Sequence, residues 1–598
     1  METLLELLHQ HAKERPGAEA ILALEEKPLS YKALLDQVCL VGSQMRALGL
    51  GQKSCVAIVL PNGPILATKF LAVSTWAVGA PLNPAYGAEE FRFYLSDLKA
   101  KALIVMTDND SPSVAVAVEL GIPVLQLSGD PTEPAGFFSL NVTNMSNEPL
   151  EPARGDSVAL LLHTSGTTAR PKLVPLTQAN LVASAKHIAT TLQLSSADRC
   201  LNVMPLFHIH GLVASVLASL HAGASVVCTP GFQSPHFFDW MAASQPSWYT
   251  AVPTMHQAIL LQAAIRSATE TPSGLRFVRS SSSPLAPSVM EELEQLFQVP
   301  VIEAYGMTEA AHQMTCNPLP PLERKPGTVG LAAGPEVAIM SENGDLLPYG
   351  NLGEVVVRGP NVTSGYLQNP AANAVTFFGG WFRTGDQGVI SSDGYLSLTG
   401  RLKEIINRGG EKVSPREIDE VLLQHPAVSQ AVTFAYPDPR LGEDIAVALV
   451  LRVGHTVAKS EIRSFAASGL APFKVPRVIL FMADIPKGPT GKVQRVGLAE
   501  KLGVSAPEAS SGEREIHAPA NTAAEKLLAE IWTEVLRLPE VGRTDSFLQV
   551  GGDSILMLQV HSRIRDRLGL ELPLAELFNA PTLAHQAVMI EDMLLDSP

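Results

Sequence analysis

Short apolar runs of strand length alternate with stretches of helical apolar spacing along most of this chain, and that alternation restricts what it can fold into. VALLL (158–162) is a buried-strand candidate followed by a Ser/Thr/Gly loop. Then comes LTQANLVASAKHIATTLQL, in which Leu181, Ala185, Ile188 and Leu192 recur on one helical face, with Thr177 placed as N-cap. The pattern returns at 223–262 and 275–303. It predicts α/β layers with largely parallel sheets. A chain of 598 residues exceeds a single hydrophobic core, so about three to five folding units are expected. Apolar content of 46% and charged content of 17% suit a soluble globular protein. The net charge of −15, without a Lys/Arg cluster, argues against nucleic acid as a partner, because such a surface cannot replace phosphate counterions.

Other features narrow the class further. Cys39, Cys55, Cys200, Cys228 and Cys316 are odd in number and form no CxxC pair, which predicts free thiols rather than a disulfide framework or a zinc site. At the N-terminus, Leu4, Leu5, Leu8 and His11 fit one helix face, with no basic or apolar leader pattern. Gly211–Cys228 is apolar but broken by Ser215, Ser219, His221 and Gly223, so it predicts a core helix followed by a strand rather than a membrane span. A cytoplasmic protein is expected. Composition shifts at VSAPEASSGEREIHAPA (504–520), which lacks an apolar period and predicts a linker. Thr522 and Glu525 then form a capping box that opens a helix with Leu527, Ile531, Val535 and Leu538 on one face. The remaining length fits a small helical bundle.

The first strong chemical signal is Thr164-Ser165-Gly166-Thr167-Thr168-Ala169-Arg170-Pro171-Lys172. Hydroxyls, a glycine and a lysine directly after a strand suit an anion cradle: glycine lets N–H groups converge, hydroxyls donate, and lysine adds charge. The spacing is not that of a Walker loop. On composition alone, a polar surface turn remains an equal reading. The segment resembles the phosphate-binding signature of the adenylate-forming superfamily, which includes acyl-CoA synthetases, peptide-synthetase adenylation domains and luciferases; Ala169 stands where that family usually has glycine. MPLFHIHGL (204–212), EAYGMTE (303–309), WFRTGD (381–386), GRLKEIINRGGEKVSP (400–415) and PTGKVQR (489–495) match it in order.

That resemblance implies a large adenylation core domain of layered sheets and helices over 1–400, and a small mobile α+β domain over 401–502. It also implies roles. Thr164, Ser165, Gly166, Thr167, Thr168 and Lys172 would bind ATP phosphates, and Glu303, Ala304, Tyr305, Gly306 and Met307 the nucleotide, with the Tyr305 ring on adenine. Thr308 would hold the α-phosphate and Glu309 would ligate Mg²⁺, a hard cation that prefers oxygen. Asp386 would accept from the ribose hydroxyls, with Arg401 nearby. Lys403 would be the hinge, and Gly409 and Gly410 would line a thiol channel. Lys492 would bridge carboxylate and polyphosphate, two anions that must meet during adenylation.

Downstream, FLQVGGDSI resembles the phosphopantetheine attachment site of carrier proteins, with Ser554 as the attachment residue. Residues 503–520 would be the linker and 521–598 an all-α four-helix carrier domain. A phosphopantetheinyl transferase and a downstream synthase or transferase domain are the implied partners. The implied reaction activates a carboxylic acid with Mg·ATP to acyl-AMP and pyrophosphate, then transfers the acyl group to the carrier's own 4′-phosphopantetheine, as in nonribosomal-peptide or polyketide pathways. The alternative is a free acid–CoA ligase whose carrier tail is an interaction module. FHIHG lacks the aspartate by which amino-acid-activating relatives pair an α-amino group. LLHTSGTTARPKLVPLTQANL, WYTAVPTMHQ, LRFVRSSSSPLAP and EAYGMTEAAHQMTCNPLP resemble oxalate-CoA ligases, in which His208, Ser282 and His312 would line the acid pocket. A small polar or dicarboxylic acid is therefore expected, with short or medium aliphatic acids as the other option. The shared adenylation motifs also leave open a nucleotide-binding scaffold and, more remotely, a luciferase-like oxygenase.

Overall fold

The computed structural model describes all residues except 1, 108–110, 130–131, 143–150, 165–170, 267–273, 439–440, 487–494, 505–517, 537, 539, 548–549, 551, 553, 571, 574–575, 578–579, 581 and 596–598. The chain divides into two compact units, Met1–Leu398 and Thr399–Pro598. The segment 158–162 lies in the strand Val158–His163, and Thr177 caps the helix Gln178–Thr191 by accepting from the Asn180 amide. The stretch 211–228 forms a helix and the strand Ser225–Cys228, but the helix begins as a π-helical segment, His210–Leu217. Such widened turns occur often at functional sites. On the first helix, Leu4–Glu14, Leu7 is buried where the spacing pointed to Leu5.

Among the described residues, the first unit contains a nine-stranded and a seven-stranded sheet. In the larger sheet, Glu19–Leu22, Ser225–Cys228, Arg199–Asn202, Trp248–Ala251, Phe277–Ser281 and Val301–Met307 pair in parallel in that spatial order. His312–Cys316 then returns antiparallel. Parallel pairing requires helical crossovers, which explains the alternation in the sequence. The helix Pro64–Trp76 touches strands of both sheets. It is buried on every side from Leu66 to Trp76, as befits a helix apolar around its whole circumference. A smaller, mostly antiparallel sheet carries Glu336–Met340, Gly353–Arg358 and Trp381–Ile390.

In the second unit, Val428–Asp438 and Gly442–Leu451 form a long antiparallel pair. Alternate residues serve two cores: Ile445, Val447 and Leu449 face one, Ala446 and Ala448 the other. Arg495 is anchored inside this subdomain, ion-paired to buried Asp419 and donating to the Thr433 carbonyl at 3.0 Å. The helices Ala523–Leu536, Ser554–Leu568 and Leu583–Leu595 enclose a separate core around Trp532, whose indole N–H donates to Gln586. The capping box is present: the Glu525 amide donates to Thr522 Oγ1, and Glu525 Oε2 accepts from the Thr522 amide. Leu528 and Trp532 join Ile531 and Val535 on the buried face of that helix. The five cysteines are free and all but Cys39 are buried. No described helix is long and apolar enough to cross a membrane.

Lys69 is the exception inside the helix Pro64–Trp76. It is fully buried, its Nζ lies 4.6 Å from the Phe138 ring centroid, and burial lowers its pKa from 10.5 to about 7. The unfolded chain therefore binds the extra proton between these two values, and stability of the first unit should rise as pH increases from about 7 toward 10. Lys69→Met should raise the thermal midpoint at neutral pH and flatten that rise, which melting curves across the window will check.

Candidate functional site

Parallel strands present their carboxyl ends along one edge, where open α/β sheets bind ligands. Here Trp248–Ala251 ends by Thr250, Phe277–Ser281 runs into Ser282, and Val301–Met307 carries Tyr305. The last strand reverses through the 3₁₀ turn Thr308–Ala310 into His312–Cys316. A side chain at Gly306 would place its Cβ 1.6 Å from the His312 carbonyl oxygen, so this tight return needs glycine. Ser282, Ala311 and His312 have φ of 75°, 46° and 100°, left-handed conformations that are costly for residues with side chains and typical of sites that aim groups.

Two clusters result. In the first, buried Glu309 accepts from Tyr366 Oη at 2.9 Å, and Lys172 Nζ lies 4.3 Å from the Tyr366 ring centroid. Burial, reinforced by the Glu309 charge, pushes the Tyr366 pKa up and keeps its hydroxyl a donor. The Thr164 amide donates to the Lys172 carbonyl at 2.8 Å, extending the antiparallel pairing of Val158–His163 with Leu173–Thr177. Ser165, Gly166, Thr167 and Thr168 lie outside the described residues. Tyr305 Oη donates to Asp386 Oδ2 at 2.5 Å. Asp386 sits within the strand Trp381–Ile390 beside Gly385, whose φ is 73°. Glu303 is buried and accepts from the Leu285 amide at 3.0 Å, and the Ala304 carbonyl accepts from Ser281 Oγ. Both therefore support the strand and the 282–286 loop.

The second cluster is centred on His210, which the sequence pattern did not single out. Its Nδ1 lies 3.1 Å from Ser282 Oγ, its Nε2 2.7 Å from Thr250 Oγ1, and its ring centroid 4.8 Å from that of His312. His208 instead packs on Phe207, with centroids 4.7 Å apart. Beneath the cluster, wholly buried Arg279 donates to Thr250 Oγ1 at 3.3 Å and to Gln313 Oε1 at 3.2 Å. The available signal was the second histidine of FHIHG. Tyr366 lies in none of the motifs, and Arg279, though within LRFVRSSSSPLAP, had nothing there to mark it for a role.

Arg401, Lys403, Gly409 and Gly410 belong to the second unit. Arg401 and Lys403 are exposed, and the Arg401 carbonyl accepts from the Glu404 and Ile405 amides. Gly409 and Gly410, with φ of 59° and 96°, make the hairpin turn between Ile406–Arg408 and Glu411–Val413. Lys492 lies outside the described residues, and Ser554 is the first residue of its helix.

These features fit the implied groups. A buried carboxylate fixed by a tyrosine hydroxyl, with an ammonium alongside, suits a hard cation and the phosphates it accompanies. No cluster of three or more potential His/Cys/Asp/Glu metal ligands occurs among the described residues. A side chain at Gly552 would come within 2.2 Å of Phe547, so the turn before Ser554 packs closely, and a helix N-terminus favours a phosphodiester.

Comparison with known proteins agrees with this picture. A model described as AMP-binding enzyme matches residues 8–367, one described as AMP-binding enzyme C-terminal domain matches 417–492, and one described as phosphopantetheine attachment site matches 526–589. An oxalate–CoA ligase of Arabidopsis thaliana is 44% identical over 507 residues, covering 83% of this chain and 97% of that protein. A sulfoacetate–CoA ligase of Cupriavidus necator is 35% identical, covering 83% and 97%. The ATP-bound MatB crystal structure from Rhodopseudomonas palustris superposes with a TM-score of 0.76 at 28% identity, covering 83% of this chain and 99% of that one. The chain therefore belongs to the AMP-binding enzyme family, AMP-forming ligases that use magnesium and ATP to join a carboxylic acid to a thiol through an acyl-adenylate, and it also carries a phosphopantetheine-bearing domain.

Proposed function

We propose that this enzyme activates a small dicarboxylic or similarly polar acid and transfers the acyl group to the phosphopantetheine thiol carried on its own Ser554. The observation that carries the acid class is the His210–Ser282–His312 cluster at the carboxyl ends of the parallel strands. Imidazoles and a hydroxyl offer hydrogen-bond donors to a second carboxylate. The relatives named for oxalate and sulfoacetate act on acids with a second anionic group, which supports the same class.

In this reading Tyr305 packs on adenine and Asp386 accepts from the ribose hydroxyls. Glu309, oriented by Tyr366, holds the magnesium ion, which offsets phosphate charge. Thr164, Lys172 and the loop between them hold the phosphates. The acid's carboxylate attacks the α-phosphorus, pyrophosphate leaves, and Lys492 stabilises the charge that develops between the two anions. The second domain would turn about Lys403 and the Gly409–Gly410 turn would admit the arm on Ser554, whose thiol would supply the nucleophile that displaces AMP. A downstream synthase or transferase would then take the acyl group. A second reading, transfer to free CoA, is favoured by the relatives' own names and by the alignment with them, which leaves about a sixth of this chain uncovered.

Pyrophosphate exchange with a panel of acids tests activation and specificity together. Dicarboxylic acids should give the strongest exchange, and Lys492→Ala should reduce it by about 100-fold or more. Exchange with aliphatic monocarboxylates alone would remove the dicarboxylate reading. Tyr366→Phe should weaken exchange by about ten-fold and raise the magnesium requirement, since Glu309 loses its buried donor; an unchanged magnesium titration contradicts the role given to Glu309. Intact-mass measurement of holo protein with ATP and acid should show acyl addition, absent from Ser554→Ala. CoA thioester formed equally fast by both proteins, without acyl-protein, favours the second reading.

A further inference from the structure

Arg279 has no place in the reaction as described, yet, like Lys69, it is a basic side chain kept wholly buried in the first unit. It sits in the strand Phe277–Ser281 with no exposed surface. Among the described residues no carboxylate lies within ion-pair distance of it, and its Nε has no hydrogen-bond partner. Its side-chain partners are the neutral Thr250 Oγ1 and Gln313 Oε1, with the Cys316 thiol, kept protonated by burial, also beside it. A buried guanidinium without a counter-charge costs several kcal/mol by general experience, so its retention calls for a compensating interaction.

The hydrogen-bond directions supply one. A guanidinium only donates, so Thr250 Oγ1 accepts from it. The single Thr250 hydroxyl proton is then available to His210 Nε2, 2.7 Å away. An imidazolium here would place a second positive charge one hydroxyl away from Arg279 in a low-dielectric interior, which favours neutral imidazole. His210 therefore carries its proton on Nδ1 and donates it to Ser282 Oγ at 3.1 Å. Ser282 accepts that bond, so its own hydroxyl proton is left to point elsewhere. Ser282 is partly exposed and held at a φ of 75°, so it is both reachable and fixed in direction.

We propose that Arg279 and Thr250 are positioning residues that set the tautomer of His210, and thereby make the Ser282 hydroxyl a hydrogen-bond donor to the non-reacting anionic end of the acid. This rests on the acid-pocket reading above and adds to it the direction of each bond. It also accounts for the buried cation: the acid's second negative charge is the counter-charge that the wall of the pocket lacks.

Arg279→Met is the direct variant, but it empties a fully buried site. Thr250→Val keeps the shape and removes only the relay hydroxyl, and Thr250→Ser restores it. Steady-state adenylation is measured with the acid that the unaltered full-length enzyme turns over best, alongside the melting midpoint. Thr250→Val should raise KM for the acid about ten-fold and lower the melting midpoint, because Arg279 and His210 each lose a buried partner, with KM for ATP within about two-fold, and Thr250→Ser should return acid KM to the native value. An unchanged acid KM, an equal rise in both KM values, or a serine variant as impaired as the valine one would overturn the relay. The acid panel on the unaltered enzyme decides the dicarboxylate reading separately: a monocarboxylate preference would sink that reading and with it the anionic end given to Ser282, whereas a dicarboxylate preference with an unchanged acid KM in Thr250→Val would overturn the relay alone.

Discussion

The strand Val301–Met307 reverses into His312–Cys316 within a few residues, and it does so because position 306 has no side chain to collide with the His312 carbonyl. The rest of the site depends on this close return. It leaves Thr308–Ala310 as a 3₁₀ turn at the end of the sheet, with the Glu309 carbonyl accepting from the Thr363 amide at 2.7 Å. Asn361 fixes the returning chain from below, donating to the Ala310 and Gln313 carbonyls at 2.8 and 3.0 Å. The same return holds His312 in a left-handed conformation and sets its ring against His210. One backbone constraint thus orients the Glu309 carboxylate and the contact between His312 and His210 together.

Two buried charges near this turn are handled differently. Glu309 is met by a tyrosine hydroxyl that burial keeps protonated, with Lys172 close to the same ring. That arrangement holds an anion in place before any cation arrives, which limits reorganisation during the reaction. Arg279 is met by neutral oxygens and by no carboxylate among the described residues. In the proposed reading the first site receives a cation with its phosphates and the second an anion. A dicarboxylic substrate beside Mg·ATP would satisfy both.

The domains that follow are built on separate cores. The long antiparallel pair of the second unit feeds a core on each face of its sheet, while the last three described helices close around Trp532 alone. Separate cores let a thiol-bearing module be joined to a ligase without sharing its packing, as the independent family matches to 8–367, 417–492 and 526–589 also indicate.

Much of this architecture was legible in the residues themselves. Strand and helix periods, the Thr177 cap and the Thr522–Glu525 capping box are local effects, decided by neighbours three or four positions apart. The phosphate loop, EAYGMTE, WFRTGD and GGDSI are contiguous motifs whose chemistry is carried by residue type. What the sequence could not show is which side chains from distant strands meet. Glu309 and Tyr366 are 57 positions apart, His210 and Ser282 72, and Arg279 and Gln313 34. Only the Arg279–Gln313 pairing follows from parallel register and the strand reversal; the other two join a turn or a helix to a distant loop, and none of the three has a local signature. The sequence by itself therefore determined the domain order, the layered α/β class and the motifs of an adenylating enzyme. Only the tertiary structure decided that His210 lies among Thr250, Ser282 and His312, because these come together only when three strand ends share one edge of the sheet.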